Sequence, residues 1–191
     1  MRIAFVGVHG VGKSTLAHAL SKRLKIPSIE LECIHEASRL NPIHRQILFL
    51  STFTSEFLRG LMRFKSVIFS SHPLMVPIYT EYWVGRKEST YMYEIVSKLP
   101  VIDYIFVLHA PVNVVIKRIL MRGREVSKEE IREDYINYIQ DRTLMSIPIL
   151  RRLAHRVVVV DTNKPLSILV NELIQYIEEF EVKVSILSTS T

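Results

Sequence analysis

The sequence is short of the residues that mark several protein classes. A single cysteine, Cys33, in 191 residues cannot close an intramolecular disulfide, which excludes a disulfide-framework secreted domain. It also leaves no Cys–Cys pair for a zinc finger. No run approaches the roughly 20 apolar residues needed to span a bilayer. The apolar run that follows Arg2 ends too soon for a signal-peptide core and meets no small-residue cleavage site. The expectation is a cytoplasmic protein that does not engage a membrane. Repeats and low-complexity linkers are lacking. Hydrophobic residues at 48% and charged residues at 23% exclude bulk disorder.

Glycine is scarce too, with six in the chain, yet Gly7, Gly10 and Gly12 fall within the first dozen residues. Glycine concentrated in this way marks backbone that must approach something closely. The net charge of +6 is also uneven, with an excess of four basic side chains in each of residues 39–65 and 117–156. Such segments suit a phosphorylated ligand or nucleic acid, or they are solvated helix faces.

Hydrophobic spacing alternates between strand and helix along the chain. Strands are expected at 2–6, 28–33, 66–69, 102–108 and 157–160. Helices are expected at 13–25, at 42–64 as one long or two short segments, and at 73–83, 91–99, 112–121, 147–153 and 166–180. Ser127 and Glu130 form a capping-box pattern that predicts a further helix carrying Tyr135. Alternation of this kind builds a parallel sheet covered on both faces, an α/β three-layer αβα arrangement.

Gly7-Val8-His9-Gly10-Val11-Gly12-Lys13-Ser14-Thr15 fits G-x-x-x-x-G-K-[ST] between a predicted strand and a predicted helix. In that pattern backbone N–H groups converge on phosphate oxygens at a helix N-terminus. Lys13 reaches the β- and γ-phosphates and Ser14 the Mg²⁺ ion, which implies ATP with Mg²⁺. No spacing supports any other metal. His9 occupies a variable position and is expected to face solvent. A second segment, from Lys117 to Glu125, places Arg118, Arg122 and Arg124 around Gly123 between two helices. Arginines on such a loop suit the charge of a transferring phosphoryl group, or they are simply solvated.

These motifs together resemble the P-loop kinases of the thymidylate kinase and deoxynucleoside kinase superfamily, over about residues 1–180. The resemblance implies the P-loop NTPase fold, with a five-stranded sheet of order 2-3-1-4-5. It implies one domain at 1–180 with a helical lid at about 117–145, followed by a C-terminal tail at 181–191. Lys13, Arg122 and Arg124 would stabilise the transferring phosphoryl. Arg118, Asp161 and Thr162 would lie with the P-loop against ATP. In His35-Glu36-Ala37-Ser38-Arg39, Glu36 is the general-base candidate, or a helix-terminal acid or an exposed charge. Arg39 holds acceptor phosphate or pairs with Glu36. Gln46 and Phe49 resemble the base-recognising glutamine and aromatic of these kinases, with core packing as the other reading of Phe49.

The third strand departs from the pattern, because Ser70 and Ser71 stand where the family has aspartate and arginine before His72. His72 is an acceptor contact or a cap on the next helix. Tyr79, Tyr82 and Trp83 stack a base or pack as core. The leading expectation is a kinase for a nucleoside or nucleoside monophosphate, similar to thymidylate kinase. A nucleotide-binding regulator with weakened catalysis comes second and a nucleic-acid end kinase third, as no basic tail supports nucleic-acid binding. A homodimer is left open.

Overall fold

A computed structural model describes residues 1–31, 35–123 and 128–188, with side chains throughout except at 35, 36 and 181–188. Five strands form one parallel sheet in the order β2-β3-β1-β4-β5, as expected. They are β1 (Arg2–Val6), β2 (Ser28–Ile29), β3 (Val67–Phe69), β4 (Ile102–His109) and β5 (Ala154–Asp161). β1 is central, with Ile3 opposite Ile68 on one side and Tyr104 on the other. Its residues from Ile3 to Val6 are wholly buried, which accounts for their unbroken apolar run in place of an alternating one.

The helices are α1 (Lys13–Leu24), α2 (Pro42–Arg63), α3 (Met75–Trp83), α4 (Arg86–Val96), α5 (Val112–Leu120), α6 (Glu133–Met145), α7 (Ile147–Leu153) and α8 (Leu166–Ser188). α1 packs on α8, while α3 contacts α2, α4 and α6 and α5 contacts α6. Right-handed crossovers in this strand order put α1 on one face and α2 to α7 on the other, completing three layers. The loops after β1, β3, β4 and β5 gather at the carboxyl ends of the strands, where open α/β sheets bind ligands.

Several boundaries differ from the sequence reading for physical reasons. Among the described residues β2 pairs with β3 only at Ser28 and Ile29, because the next amide in reach, that of Leu31, donates to the Ser70 hydroxyl at 3.0 Å; residues 32 and 33 of the expected strand lie outside the described residues. α2 is one helix. Asn41 caps it by accepting from His44 N–H at 3.0 Å, with Pro42 in its first turn. α4 starts at Arg86, five residues before the expected start at Tyr91, after Gly85 at φ 139°. The helix expected to start at Ser127 and Glu130 begins later. Glu130 lies in a 3₁₀ turn, Glu129–Ile131, that ends at extended Arg132 (ψ 129°), and α6 begins at Glu133. Ser127 lies outside the described residues. α8 continues to Ser188, eight residues past its expected end.

Candidate active site

The loop from Gly7 to Gly12 joins β1 to α1. Gly7, Gly10 and Gly12 all have positive φ, at 146°, 83° and 108°. Gly10 is also pressed against α5, since a Cβ there would lie 2.6 Å from Ile119 Cγ1 and 3.0 Å from Val115 Cγ1. Lys13 Nζ donates to the carbonyls of Gly7 at 2.8 Å and Val8 at 3.0 Å, which holds the ammonium over the loop. Among the described residues no side chain caps α1; its first turn carries no acid, and Ser14 and Thr15 are exposed. A helix N-terminus in that state presents positive potential and amide donors to an anion.

The opposite wall is anchored by Arg118 of α5. Its Nη2 donates to the Thr162 carbonyl at 2.7 Å. Its Nη1 faces the Thr162 hydroxyl at 3.1 Å and the Val11 carbonyl at 3.3 Å. Thr162 is buried, its N–H donates to the His109 carbonyl at 2.8 Å, and its hydroxyl lies 2.9 Å from the Val11 carbonyl. One guanidinium therefore ties α5, the glycine loop and the segment after β5 together. Between them runs a cleft of about 350 Å³, edged by Gly10–Gly12, Thr15, Arg118, Arg122, Thr162, Lys164 and the apolar Met121, Leu166 and Leu169. Asp161 is exposed beside it and accepts from Asn163 N–H at 2.9 Å. Apolar side chains, arginines and an amide-bearing helix terminus around one cleft suit a molecule with an apolar part and phosphates.

The residues expected around an acceptor are placed differently. Ser70 and Ser71 are buried, and the Ser70 hydroxyl is engaged with Leu31. His72 is wholly buried. Its Nδ1 accepts from Leu74 N–H at 3.1 Å, its ring meets Phe57 edge-on at 5.0 Å, and Nε2 has no partner among the described residues. Burial pulls its pKa down to about 3, so it is a neutral ring capping the start of α3. Gln46 is buried, and its Oε1 lies 3.4 Å from the Thr80 hydroxyl. Phe49 packs half-buried on the core. Arg39 is exposed at the end of the 3₁₀ turn His35–Arg39. The Glu36 side chain and Arg124 lie outside the described residues.

His9 does not face solvent. It is half-buried, with its ring against Tyr79 of α3 and Tyr135 of α6. Tyr135 is 2% exposed, and burial raises its hydroxyl pKa well above the ordinary tyrosine range. Tyr82, Trp83 and Tyr138 continue this cluster, with Arg45 Cζ 5.8 Å over the Trp83 ring. Local pattern rules do not reach these contacts, whose members come from a loop and three helices. Lys164, Leu166 and Leu169 were missed as cleft residues, although they follow directly on Asp161-Thr162-Asn163. The signal was their adjacency to that loop.

No protein-family model matches the chain, and no curated protein matches it. Solved structures do. A deoxyadenosine kinase from M. mycoides with the products dCMP and dCDP bound is 20% identical with a TM-score of 0.76, covering 94% of this chain and 100% of that one. The same enzyme with dATP bound is 20% identical with a TM-score of 0.75, covering 93% and 100%. The YorR protein of Bacillus subtilis, in complex with phosphorylated GDP, is 20% identical with a TM-score of 0.57, covering 96% and 98%. The coverage reaches nearly end to end in each case, so the shared element is the whole sheet and both helical layers. The chain has the P-loop, deoxynucleoside kinase-like fold.

Proposed function

We propose that this protein transfers the γ-phosphoryl group of ATP to a hydroxyl or phosphate oxygen of a nucleoside or nucleoside monophosphate. The observation that carries the reading is the cleft that Gly10–Gly12 and Thr15 at the α1 N-terminus share with Arg118 and Arg122 from the α5 side, next to the loop whose Gly7 and Val8 carbonyls hold the Lys13 ammonium. Lys13 and the loop amides hold the β- and γ-phosphates, and Leu166, Leu169 and Met121 take the base. Arg122, with Arg124, meets the charge that spreads over the transferring phosphoryl. Glu36 accepts the proton of the acceptor hydroxyl as its oxygen bonds to the γ-phosphorus and the bond to the β,γ-bridging oxygen breaks. Arg39 and Tyr79 flank the acceptor.

The donor set around Ser14 fits Mg²⁺ that arrives with the nucleotide. Its hydroxyl is exposed beside the loop, and no group of three His, Cys, Asp or Glu among the described residues forms an all-protein cage. Ser14 would be the protein's ligand to such an ion, which would supply charge neutralisation at the phosphates.

The nucleoside kinase reading is favoured over a thymidylate kinase reading by the end of β3. Ser70 and Ser71 carry no charge with which to hold an acceptor phosphate, and both are buried. The same observation supports the second reading, a nucleotide-binding regulator without transfer. ADP release measured across nucleosides and nucleoside monophosphates separates the two. Turnover with at least one nucleoside is expected. It should be abolished by Lys13→Ala and lowered on the order of a hundredfold by Glu36→Gln. ATP binding with no turnover on any acceptor would support the regulator, and no ATP binding at all would overturn both.

A further inference from the structure

The phosphate loop carries a histidine whose ring is gripped by two helices. His9 stacks on Tyr79 of α3 at 6.0 Å between centroids, with 18° between planes. It meets Tyr135 of α6 at 5.3 Å and 31°. Tyr135 in turn lies 5.6 Å from Trp83, the only tryptophan in the chain. Two ring contacts thus connect the loop to a single spectroscopic reporter.

The loop also holds a group that a phosphate would compete for. Lys13 Nζ donates to the Val8 carbonyl at 3.0 Å. That carbonyl and the His9 N–H belong to one planar peptide unit, so drawing Lys13 away releases a hydrogen bond on the peptide that leads directly into His9, and a displacement of that peptide would shift the His9 ring. Tyr135 is 2% exposed, and a close-packed neighbour cannot absorb such a shift without passing it to its helix.

We propose that His9 is a positioning residue. Phosphate drawn onto Lys13 is relayed through His9 to Tyr79 and Tyr135, and this sets α3 and α6 relative to the loop before transfer. The relay rests on the nucleotide-binding part of the function proposed above and is independent of the acceptor's identity.

The test pairs calorimetry with Trp83 fluorescence, using ADP as the probe. The wild-type chain should bind ADP and change its Trp83 emission. His9→Ala should keep ADP affinity within about threefold yet lose most of the emission change. His9→Phe, which keeps a ring between the tyrosines, should restore it. Tyr79→Leu offers a second break in the relay should His9→Ala fail to fold. In turnover, His9→Ala should lower kcat about tenfold with KM for ATP little altered, as misplacement of bound groups does. ADP binding without any Trp83 response in the wild type would overturn the proposal, as would an undiminished response in both His9→Ala and Tyr79→Leu. Calorimetry showing no ADP binding to the wild type would bring down the nucleotide-binding reading itself, and the relay with it.

Discussion

Arg118 Nη2 and the Thr162 carbonyl oxygen lie 2.7 Å apart across 44 residues of chain. The other terminal nitrogen of the same guanidinium reaches the Thr162 hydroxyl and the Val11 carbonyl. A forked, planar cation serves three acceptors on two segments, which the point charge of a lysine cannot do. Arg118→Lys should therefore lose about 2 kcal/mol of stability, a fall in Tm of roughly 4–8 °C for a chain this long. ADP should protect the variant less than the wild type, because the cleft loses a wall along with the tie. Thermal melts with and without ADP read both effects.

His72 gives stability a defined pH dependence. Burial holds its pKa at about 3 in the folded chain, against 6.5 as its ordinary value. The unfolded chain therefore binds a proton that the native chain refuses between those values, and stability falls as pH drops through that window. From pH 7 to pH 5 this one group should remove about 2 kcal/mol. His72→Asn, which keeps an acceptor for Leu74 N–H, should flatten that part of the slope. Urea titrations at the two pH values measure the difference, and equal slopes in wild type and variant would contradict it.

Gly10 and Gly12 should respond unequally to alanine although both have positive φ. At Gly10 the new Cβ meets Ile119 at 2.6 Å, while at Gly12 none of the described residues lies within 4 Å. Gly12→Ala is then limited to backbone strain of about 1–2 kcal/mol. Gly10→Ala adds overpacking of about 1–3 kcal/mol and pushes on the helix that carries Arg118. Denaturant melts should rank Gly10→Ala as the less stable of the two.

Glu81 joins α3 to α6. Arg142 Nε and Nη2 both donate to its Oε2, at 3.0 and 2.6 Å, with side chains only 9% and 21% exposed. Removing one partner strands the other, so Glu81→Ala should cost about 2 kcal/mol. The double replacement Glu81→Met with Arg142→Leu should recover part of that loss, since both charges then leave together. A double-mutant cycle by chemical denaturation gives the coupling.

The central strand and the phosphate loop were legible because their signals are local, whereas the strand order followed only from the resemblance that the loop motifs carry. Ile3 to Val6 is a short apolar run closed by glycine, and Lys13-Ser14 follows the glycines at a helix start. Elements were misjudged where a distant group decides the boundary. β2 stops early because a serine beside β3 takes the amide of Leu31. α4 begins among Arg86, Lys87 and Glu88, where no apolar residue reveals the helical period. The place of His9 depends on tyrosines from α3 and α6, and nothing near His9 in sequence announces them. His72 illustrates the opposite outcome, since Asp-Arg-His-Pro-like spacing suggested a ligand contact or a cap and its buried Nδ1 serves as the cap.

The central position of β1 has a consequence for the order in which the protein acquires its competence. Its two neighbours are β3 and β4, both far downstream, so the first strand made must wait for the fourth before both its edges are paired. Contacts of such long sequence separation carry large loop-closure entropy and form slowly. Gly10 needs α5 against it, and Val11 needs Thr162, which comes after the last strand. The phosphate cradle is therefore a late product of folding, and nucleotide can stabilise the finished chain by mass action but cannot template its early stages.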